Sequence, residues 1–135
     1  YLFKRILTNE ALKQINYIPN VPYDKVKDYI SKSEVIILPS LAESFGLVTI
    51  ESMAMEKAVV ASNYPWNNEI IINELTGILE SPLDHENFAK KIIYLLEEKN
   101  KSLIMGKKAR LHVDEFFNLN KIAKENIEFY KSVLQ

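Results

Sequence analysis

Residues 34–52 read EVIILPSLAESFGLVTIES, and this stretch decides the fold. It opens with four uncharged, mostly β-branched residues, Val35 to Leu38, which are typical of a strand buried on both faces in a parallel sheet. A proline and a serine end that strand. A short loop then leads to a helix predicted over about residues 46–56, with Ser44 as its candidate N-cap. A strand, a loop and a helix N-terminus in this order form the phosphate-binding crevice of open α/β sheets.

Length and composition restrict the kinds of protein that this chain can be. At 135 residues and 47% hydrophobic content it is long enough for one domain with a proper core, or for one half of a two-lobed protein. A net charge of −1 provides no electrostatic footprint for nucleic acid. The chain has no cysteine, so it has no disulfides or thiolate metal sites, and this fits a cytoplasmic protein. No apolar run approaches the roughly 18 residues of a membrane span. Because residue 1 is not methionine, we expect a piece of a longer protein.

Strands alternate with helices up to about residue 80, and helices follow. This pattern predicts an α/β fold with a mainly parallel sheet of four or five short strands and helices on both faces. Besides 35–38, short strands are predicted at 16–18, 58–61 and 77–79. A loop is predicted at 63–68. Helices are predicted within 1–14, with a second one from Glu10 capped by Thr8 or Asn9, and from Pro22. A helical turn is predicted from Glu69, and a helix after Asp84 has an apolar face of Phe88, Ala89, Ile92, Ile93, Leu95 and Leu96. Two more helices are predicted at 101–112 and at 119–134, the last with Ile122, Ile127, Tyr130 and Val133 on one side.

The predicted helix tip has the chemistry of an anion site flanked by hydroxyl acceptors. With Ser44 as N-cap, the amides of the next three residues lack partners inside the helix, and the dipole contributes about 1 kcal/mol to holding an anion there. Gly46 lets a ligand approach the backbone closely. Glu51 follows about one turn later and could accept hydrogen bonds from the two hydroxyls of a ribose, while Glu43 could reach hydroxyls on the other side. A glutamate in the first turns of a helix is also a common partner of the helix dipole, so spacing alone leaves both interpretations open.

The same stretch resembles the nucleotide-sugar-binding half of retaining glycosyltransferases of the GT-B fold, the group known as family 4. The signature of that family is two glutamates separated by seven residues, with Phe-Gly after the first, as in Glu43–Glu51 here. Leu38-Pro39-Ser40 resembles the end of the preceding strand of the family, and Val59-Val60-Ala61-Ser62 resembles its next strand. Glu69, Thr76-Gly77, Pro82 and Asp84 continue the similarity. The resemblance runs from about residue 16 to the C-terminus and implies a Rossmann-like C-terminal lobe with extra C-terminal helices, here a single domain over residues 1–135 without the start of the lobe.

The resemblance implies a role for each matching residue. Glu43 resembles the catalytic residue that holds donor-sugar hydroxyls and supports the developing charge. Glu51 resembles the ribose ligand, and the loop Pro19-Asn20-Val21 resembles a wall for the base. The remaining donor-binding residues implied by the match are Ser44, Phe45, Gly46, Leu47 and Val48. The substrate would be a nucleotide-diphosphate sugar, whose leaving diphosphate assists the reaction, and we expect no cofactor.

No metal is expected either, because no Asp-x-Asp pair lies near a strand end, and His85 and His112 are expected to be surface helix residues. The resemblance implies that the partner is the acceptor-binding N-terminal lobe, which allows peripheral contact with the inner membrane face. The basic residues that clamp the diphosphate in the family are expected upstream of residue 1, so this chain alone is expected to be inactive.

Three departures from the family pattern keep alternatives open. Ser44 replaces a common glycine, Met55-Glu56-Lys57-Ala58 replaces a Cys-Gly-x-Pro turn, and 63–68 (NYPWNN) replaces a loop with a glycine pair. Trp66 in that loop could contact a sugar face or plug the crevice. These departures leave open a degenerate lobe used for protein contacts. A nucleotide-sugar epimerase of the same two-lobed fold also remains open, because its acid–base residues would be expected in the upstream half. A phospho-receiver domain is disfavoured, because Pro39-Ser40 occupies the strand end where an aspartate is needed.

Overall fold

A three-stranded parallel sheet forms the centre of the molecule. The computed structural model describes residues 7–134, and within them the strands are β1 (Val35–Leu38), β2 (Ala58–Ser62) and β3 (Ile78–Glu80), in the order β1-β2-β3. Val35 pairs with Ala58, and Val60 pairs with Ile78. Parallel neighbours need crossover connections, and here helices supply them. The chain is therefore an α/β protein, as predicted.

Seven helices accompany the sheet in the described part of the chain. They are α1 (Asn9–Lys13), α2 (Tyr23–Lys32), α3 (Leu47–Ala54), α4 (Pro65–Asn68), α5 (His85–Glu97), α6 (Lys99–Phe116) and α7 (Leu119–Val133). Two of the predicted caps are confirmed, because Thr8 accepts the amide of Ala11 and Asp84 accepts the amide of Asn87. The last two helices lie close to their predicted positions, although α6 is longer at both ends.

β2, not β1, is the fully buried strand. All five of its residues are buried, since it has a strand on each side and helices over both faces. The prediction that 35–38 is buried on both faces is wrong: β1 is only partly buried, and Ile37 is 44% exposed. Within the described residues β1 has a strand neighbour on one side only. An apolar run thus identifies a strand without identifying its place in the sheet.

The alternation of β2 side chains divides the core into two layers. On one face, Val59 and Ala61 pack with buried residues of α3 and α6, namely Met53, Ala109 and Val113, together with Ile70 and Ile71. On the other face, Ala58 and Val60 pack with Phe88 and Leu95 of α5, together with Ile78 and Met105. The sheet is therefore covered by helices on both faces, as the sequence indicated, and α3 is fixed against the first layer.

A close backbone approach sets the position of α6. Gly106 lies against the turn after α3, where Glu56 has a left-handed φ of 57°. A Cβ at residue 106 would come 2.0 Å from the Glu56 carbonyl oxygen. Nearby, Arg110 Nη1 donates to the carbonyl oxygen of Ala54, at the C-terminal end of α3. Both contacts tie α6 to α3.

Several predicted elements differ in the structure. Residues 16–18 lie in a segment without regular secondary structure rather than in a strand, so the described sheet has three strands instead of four or five. The predicted loop 63–68 contains the one-turn helix α4, and the turn expected to begin at Glu69 is the end of that helix, because Pro65 presets helical φ at its first position. The helical start expected within 1–6 lies outside the described residues.

The apolar faces predicted on α5 and α7 are only partly covered in the structure. On α5, Phe88 and Leu95 are buried, whereas Ala89, Ile93 and Leu96 are exposed. No residue of α7 is buried, and Ile127, Tyr130 and Val133 are exposed. An apolar stripe predicts the side of a helix that prefers a partner, but the contacts made depend on what lies opposite.

The start of α2 also differs from the prediction. Pro22, expected at the first helical position, is instead the N-cap of α2.

Candidate functional site

The tip of α3 is built around a left-handed glycine. Gly46 is the N-cap of α3, with φ of 80° and ψ of 45°, and it is buried. The prediction of Ser44 as N-cap is wrong, because the helix begins at Leu47. Glycine reaches this conformation without the cost that a Cβ imposes. The backbone amides of Leu47 and Val48, in the first turn, consequently lack acceptors inside the helix, whereas the amide of Phe45 is not part of the helix.

A chain of buried polar groups supports the tip from below. Thr49 Oγ1 lies 3.2 Å from Asn67 Oδ1 and donates to it. Asn67 Nδ2 donates to the carbonyl oxygen of Ser62, and Ser62 Oγ donates to the carbonyl oxygen of Leu38. The chain links α3, α4 and the carboxyl ends of β2 and β1. Buried hydrogen-bonded groups resist displacement, because each one would be costly to leave unpaired.

Glu43 lies on the exposed loop before the tip and is oriented by a serine. Ser40 Oγ donates to Glu43 Oε1 at 2.7 Å. A cavity of about 270 Å³ opens beside it, lined by Leu38 and by residues 43–49. The predicted donor residues Glu43, Ser44, Phe45, Gly46, Leu47 and Val48 therefore all line this one cavity.

Glu51 lines a different cavity, between α2 and α3. Tyr23 Oη donates to Glu51 Oε1 at 2.5 Å. This hydrogen bond and the negative charge of Glu51 raise the pKa of the Tyr23 hydroxyl above its ordinary value. The cavity has a volume of about 430 Å³, and its lining includes Val26, Ile30 and Met55. The two glutamates of the motif thus line separate cavities, since Glu43 lies on the loop before α3 and Glu51 lies within that helix.

The loop expected to form a wall for the base leads directly into the partner of Glu51. Asn20 is exposed and has a left-handed φ of 54°, and Val21 is half-buried. Pro22 follows as the N-cap of α2, and Tyr23 is the first residue of that helix. This loop is therefore connected in sequence to the Glu51 cavity rather than to the cavity at the tip.

Aromatic side chains join the tip loop to the C-terminal helices. The ring of Phe45 meets the ring of Phe117, between α6 and α7, edge to face at a centroid distance of 6.5 Å. His112 lies against Phe117 at 6.0 Å. The prediction of His112 as a simple surface residue is therefore incomplete, since it is half-buried in an aromatic cluster.

Trp66 lies on α4, close to the carboxyl end of β2. Its ring packs against that of Tyr64 at a centroid distance of 5.0 Å, and the side chain is half-buried. Its indole nitrogen is buried without a hydrogen-bond partner among the residues that the structure describes. The residue is thus held against Tyr64 at the start of α4.

Two kinds of feature are absent from residues 7–134. No group of three or more histidine, aspartate and glutamate side chains there could hold a metal ion. Over the same range, no helix combines the length and the apolarity needed to cross a bilayer.

Sequence reasoning missed four residues that shape the site. These are the two hydroxyl donors to the motif glutamates, Ser40 and Tyr23, and the buried pair Thr49 and Asn67. Ser40 lies three residues before its partner, so a local pattern could have suggested it. Tyr23 and Asn67 are 28 and 18 residues from their partners, and no sequence spacing indicates such contacts.

Comparisons with known proteins give one consistent answer. A sequence model described as "Glycosyl transferases group 1" matches residues 1–112. The chain is 32% identical over 112 residues to the N-acetyl-alpha-D-glucosaminyl L-malate synthase of Bacillus anthracis, a match that covers 83% of this chain and 29% of the relative. It is 30% identical over 129 residues to the trehalose synthase of Thermococcus litoralis, covering 96% of this chain and 31% of the relative. The chain thus spans about a third of the length of these curated relatives.

Solved structures with the same fold include glycosyltransferases. The sucrose-phosphate synthase of Thermosynechococcus elongatus superposes with a TM-score of 0.84 at 30% identity, over 97% of this chain and 34% of the other. Anabaena HepE in complex with UDP superposes with a TM-score of 0.87 at 23% identity, over 97% of this chain and 36% of the other. At that identity the second likeness bears on the fold alone. These neighbours establish the fold as that of a GT-B lobe.

Proposed function

The chain belongs to the glycosyl transferases group 1 family, and from that membership we propose that it is the donor-binding domain of a glycosyltransferase. The enzyme transfers a hexosyl unit from a nucleotide-diphosphate sugar to a glycan or lipid-linked acceptor, with retention of configuration. The observation that carries the proposal is the start of α3 at the left-handed Gly46. It leaves the amides of Leu47 and Val48 without acceptors inside the helix, in a cavity that Glu43 also lines. The fold is compatible with this donor, because neighbours of the same fold have been solved with UDP and with UDP-glucose.

Each part of the donor has a matching group in this proposal. The diphosphate lies on the amides of Leu47 and Val48, where the helix dipole favours negative charge. The sugar occupies the cavity of about 270 Å³ beside Glu43, which accepts hydrogen bonds from sugar hydroxyls. Ser44, Phe45 and Gly46 surround the sugar. Glu51 accepts the ribose hydroxyls, and Asn20 and Val21 border the base.

The electrostatics of the tip cavity point to help from another part of the enzyme. None of the described residues that line the cavity is lysine or arginine. A diphosphate at the tip would therefore be stabilised by the helix dipole and by no cation from this lining. The dipole contributes only about 1 kcal/mol, which is too little for tight binding. We propose that basic groups of a longer chain complete the site, together with a second lobe that binds the acceptor. On this view the 135-residue chain binds the donor weakly and does not turn it over.

Titration of the chain with UDP and with UDP-glucose, followed by NMR, tests the proposal. Glu51→Gln should weaken both ligands about tenfold or more, because a hydrogen bond to a charged acceptor contributes about 1.5–3 kcal/mol. Glu43→Gln should leave UDP binding unchanged and remove the extra affinity that the glucose provides. Glu97→Gln on α5, an exposed residue on the opposite face of the sheet, is the matched control.

The result that contradicts the proposal is equally specific. If saturating UDP, ADP and GDP all leave the resonances of residues 43–51 unmoved, the chain does not bind a nucleotide donor at this tip. If ligands bind but the two Glu→Gln variants behave like the Glu97 control, the carboxylates do not have the proposed roles.

A further inference from the structure

Tyr23 makes a hydrogen bond that neither the family match nor the motif explains. Its hydroxyl donates to Glu51 Oε1 at 2.5 Å, across 28 residues of sequence and between two helices. The side chain of Tyr23 is 79% exposed. A ring with that exposure contributes little to the core, so burial does not account for its position.

The backbone before Tyr23 is unusually constrained for a surface loop. Asn20 has a left-handed φ of 54°, and Pro22 has φ of −56° as the N-cap of α2. A proline has little freedom in φ, and a non-glycine residue with positive φ requires support from its surroundings. Tyr23 directly follows this constrained backbone, and its side chain reaches Glu51 on α3.

We propose that Tyr23 is a positioning residue that holds the Glu51 carboxylate in the orientation needed to bind the ribose of the donor nucleotide. This inference rests on the function proposed above. A carboxylate has about four lone-pair sites. The tyrosine hydroxyl uses one of them on Oε1, so sites remain on both oxygens for two adjacent ribose hydroxyls.

Pre-organisation is the physical gain. A free glutamate side chain loses rotamer entropy when it is fixed in one orientation. A carboxylate that is already held loses less on binding, and the difference appears as affinity. The hydrogen bond and the charge of Glu51 raise the pKa of the Tyr23 hydroxyl. The phenol therefore stays protonated, and remains a donor, throughout the neutral range.

Tyr23→Phe removes the hydroxyl and keeps the ring, and nucleotide binding measures the effect. The probes are UDP, ADP and GDP, each paired with its 2′-deoxy analogue, titrated into the chain by NMR or calorimetry. For the nucleotide that binds, we expect Tyr23→Phe to weaken the ribonucleotide about three- to tenfold, in line with the loss of one hydrogen bond. The 2′-deoxy analogue should be affected less, so that the discrimination between the two sugars falls.

Tyr29→Phe is the matched control. Tyr29 lies on the same helix and is also exposed, and within the described residues its hydroxyl makes no hydrogen bond to Glu51. The control should bind like the unaltered chain. In the double variant with Glu51→Gln, Tyr23→Phe should add little further loss, because the group that it positions is already altered.

The outcomes separate this inference from the proposed function. Binding that depends on Glu51, but is unchanged or tightened in Tyr23→Phe, overturns the positioning role and leaves the donor site standing. A uniform loss for the ribose and deoxyribose forms also overturns it, because Tyr23 would then act through another part of the ligand. Failure of the unaltered chain to bind any of the three nucleotides overturns both.

Discussion

Gly106→Ala tests how much the close contact between α6 and the turn after α3 contributes to the stability of the fold. The added Cβ would come 2.0 Å from the carbonyl oxygen of Glu56 and 2.6 Å from its carbonyl carbon. Ordinary van der Waals contact begins at 3.4 Å. The helix and the turn must therefore separate by about 1.4 Å (3.4 − 2.0) along that direction. Both partners are backbone, so no flexible side chain can yield instead.

The magnitude follows from two opposing effects. Alanine is the better helix former, by about 1 kcal/mol. Against this, forcing atoms into a packed site costs about 1–3 kcal/mol or more. A separation of more than 1 Å also removes much of the dispersion energy of Met105, Ala109 and Val113, which are buried on the same helix. The clash and the lost dispersion energy together outweigh the gain in helix propensity, and we expect a net loss of about 1–3 kcal/mol.

The assay is thermal and urea unfolding, followed by circular dichroism. For a chain of this size the loss corresponds to a fall in Tm on the order of 10 °C. Lys107→Ala, at the next and exposed position of the same helix, should leave Tm within a few degrees. A Gly106→Ala protein that is as stable as the unaltered chain, or more stable, would show that helix propensity outweighs the contact and refute the reasoning.

Two more predictions concern Asn67, which is hydrogen-bonded beneath the tip, and Asp84, which caps α5. Asn67→Leu removes the amide that joins two buried partners and should cost about 1–3 kcal/mol in urea unfolding, while the same change at the exposed neighbour Asn68 should cost little. At Asp84 the backbone hydrogen bond from Asn87 lowers the carboxyl pKa from its ordinary value. The ionised carboxylate therefore stabilises the fold above the unfolded-state pKa, and this contribution is lost as the pH falls through the folded-state pKa. Asp84→Asn keeps a capping side chain and should show a smaller difference between urea midpoints at pH 6 and pH 3; an unchanged difference would rule out this carboxyl as a source of the acid sensitivity.

Local patterns predicted the elements but not their surroundings. The apolar run of β1 and the capping aspartate of α5 act through adjacent residues, and both elements form where the sequence indicates. The preference of serine for the N-cap position is also a local signal, yet Ser44 does not cap α3. The chain enters the helix through Gly46 in a left-handed conformation, so the helix begins at Leu47 rather than directly after the serine. The prediction that β1 is fully buried failed because burial is not a local property. It depends on which strands and helices lie alongside.

The sequence motif names candidate site residues but not their arrangement, and their roles stay predictions. In the fold, the motif has residues 43–48 along one cavity. It gave no sign that Glu51 would line a second cavity with Tyr23, or that Thr49 and Asn67 would brace the tip. Those contacts depend on the packing of α2 and α4 against α3, which only the folded chain defines.

The partners of the two motif glutamates argue that both carboxylates are kept available for a ligand. Glu43 is held by the hydroxyl of Ser40, and Glu51 by the hydroxyl of Tyr23. Within residues 7–134 neither glutamate forms an ion pair, although other surface carboxylates do so with lysine or arginine. A cation would neutralise the charge and occupy the lone pairs that ligand hydroxyls need. A single neutral hydroxyl donor orients the carboxylate and leaves most of its acceptor capacity, which is what a site for sugar and ribose hydroxyls requires.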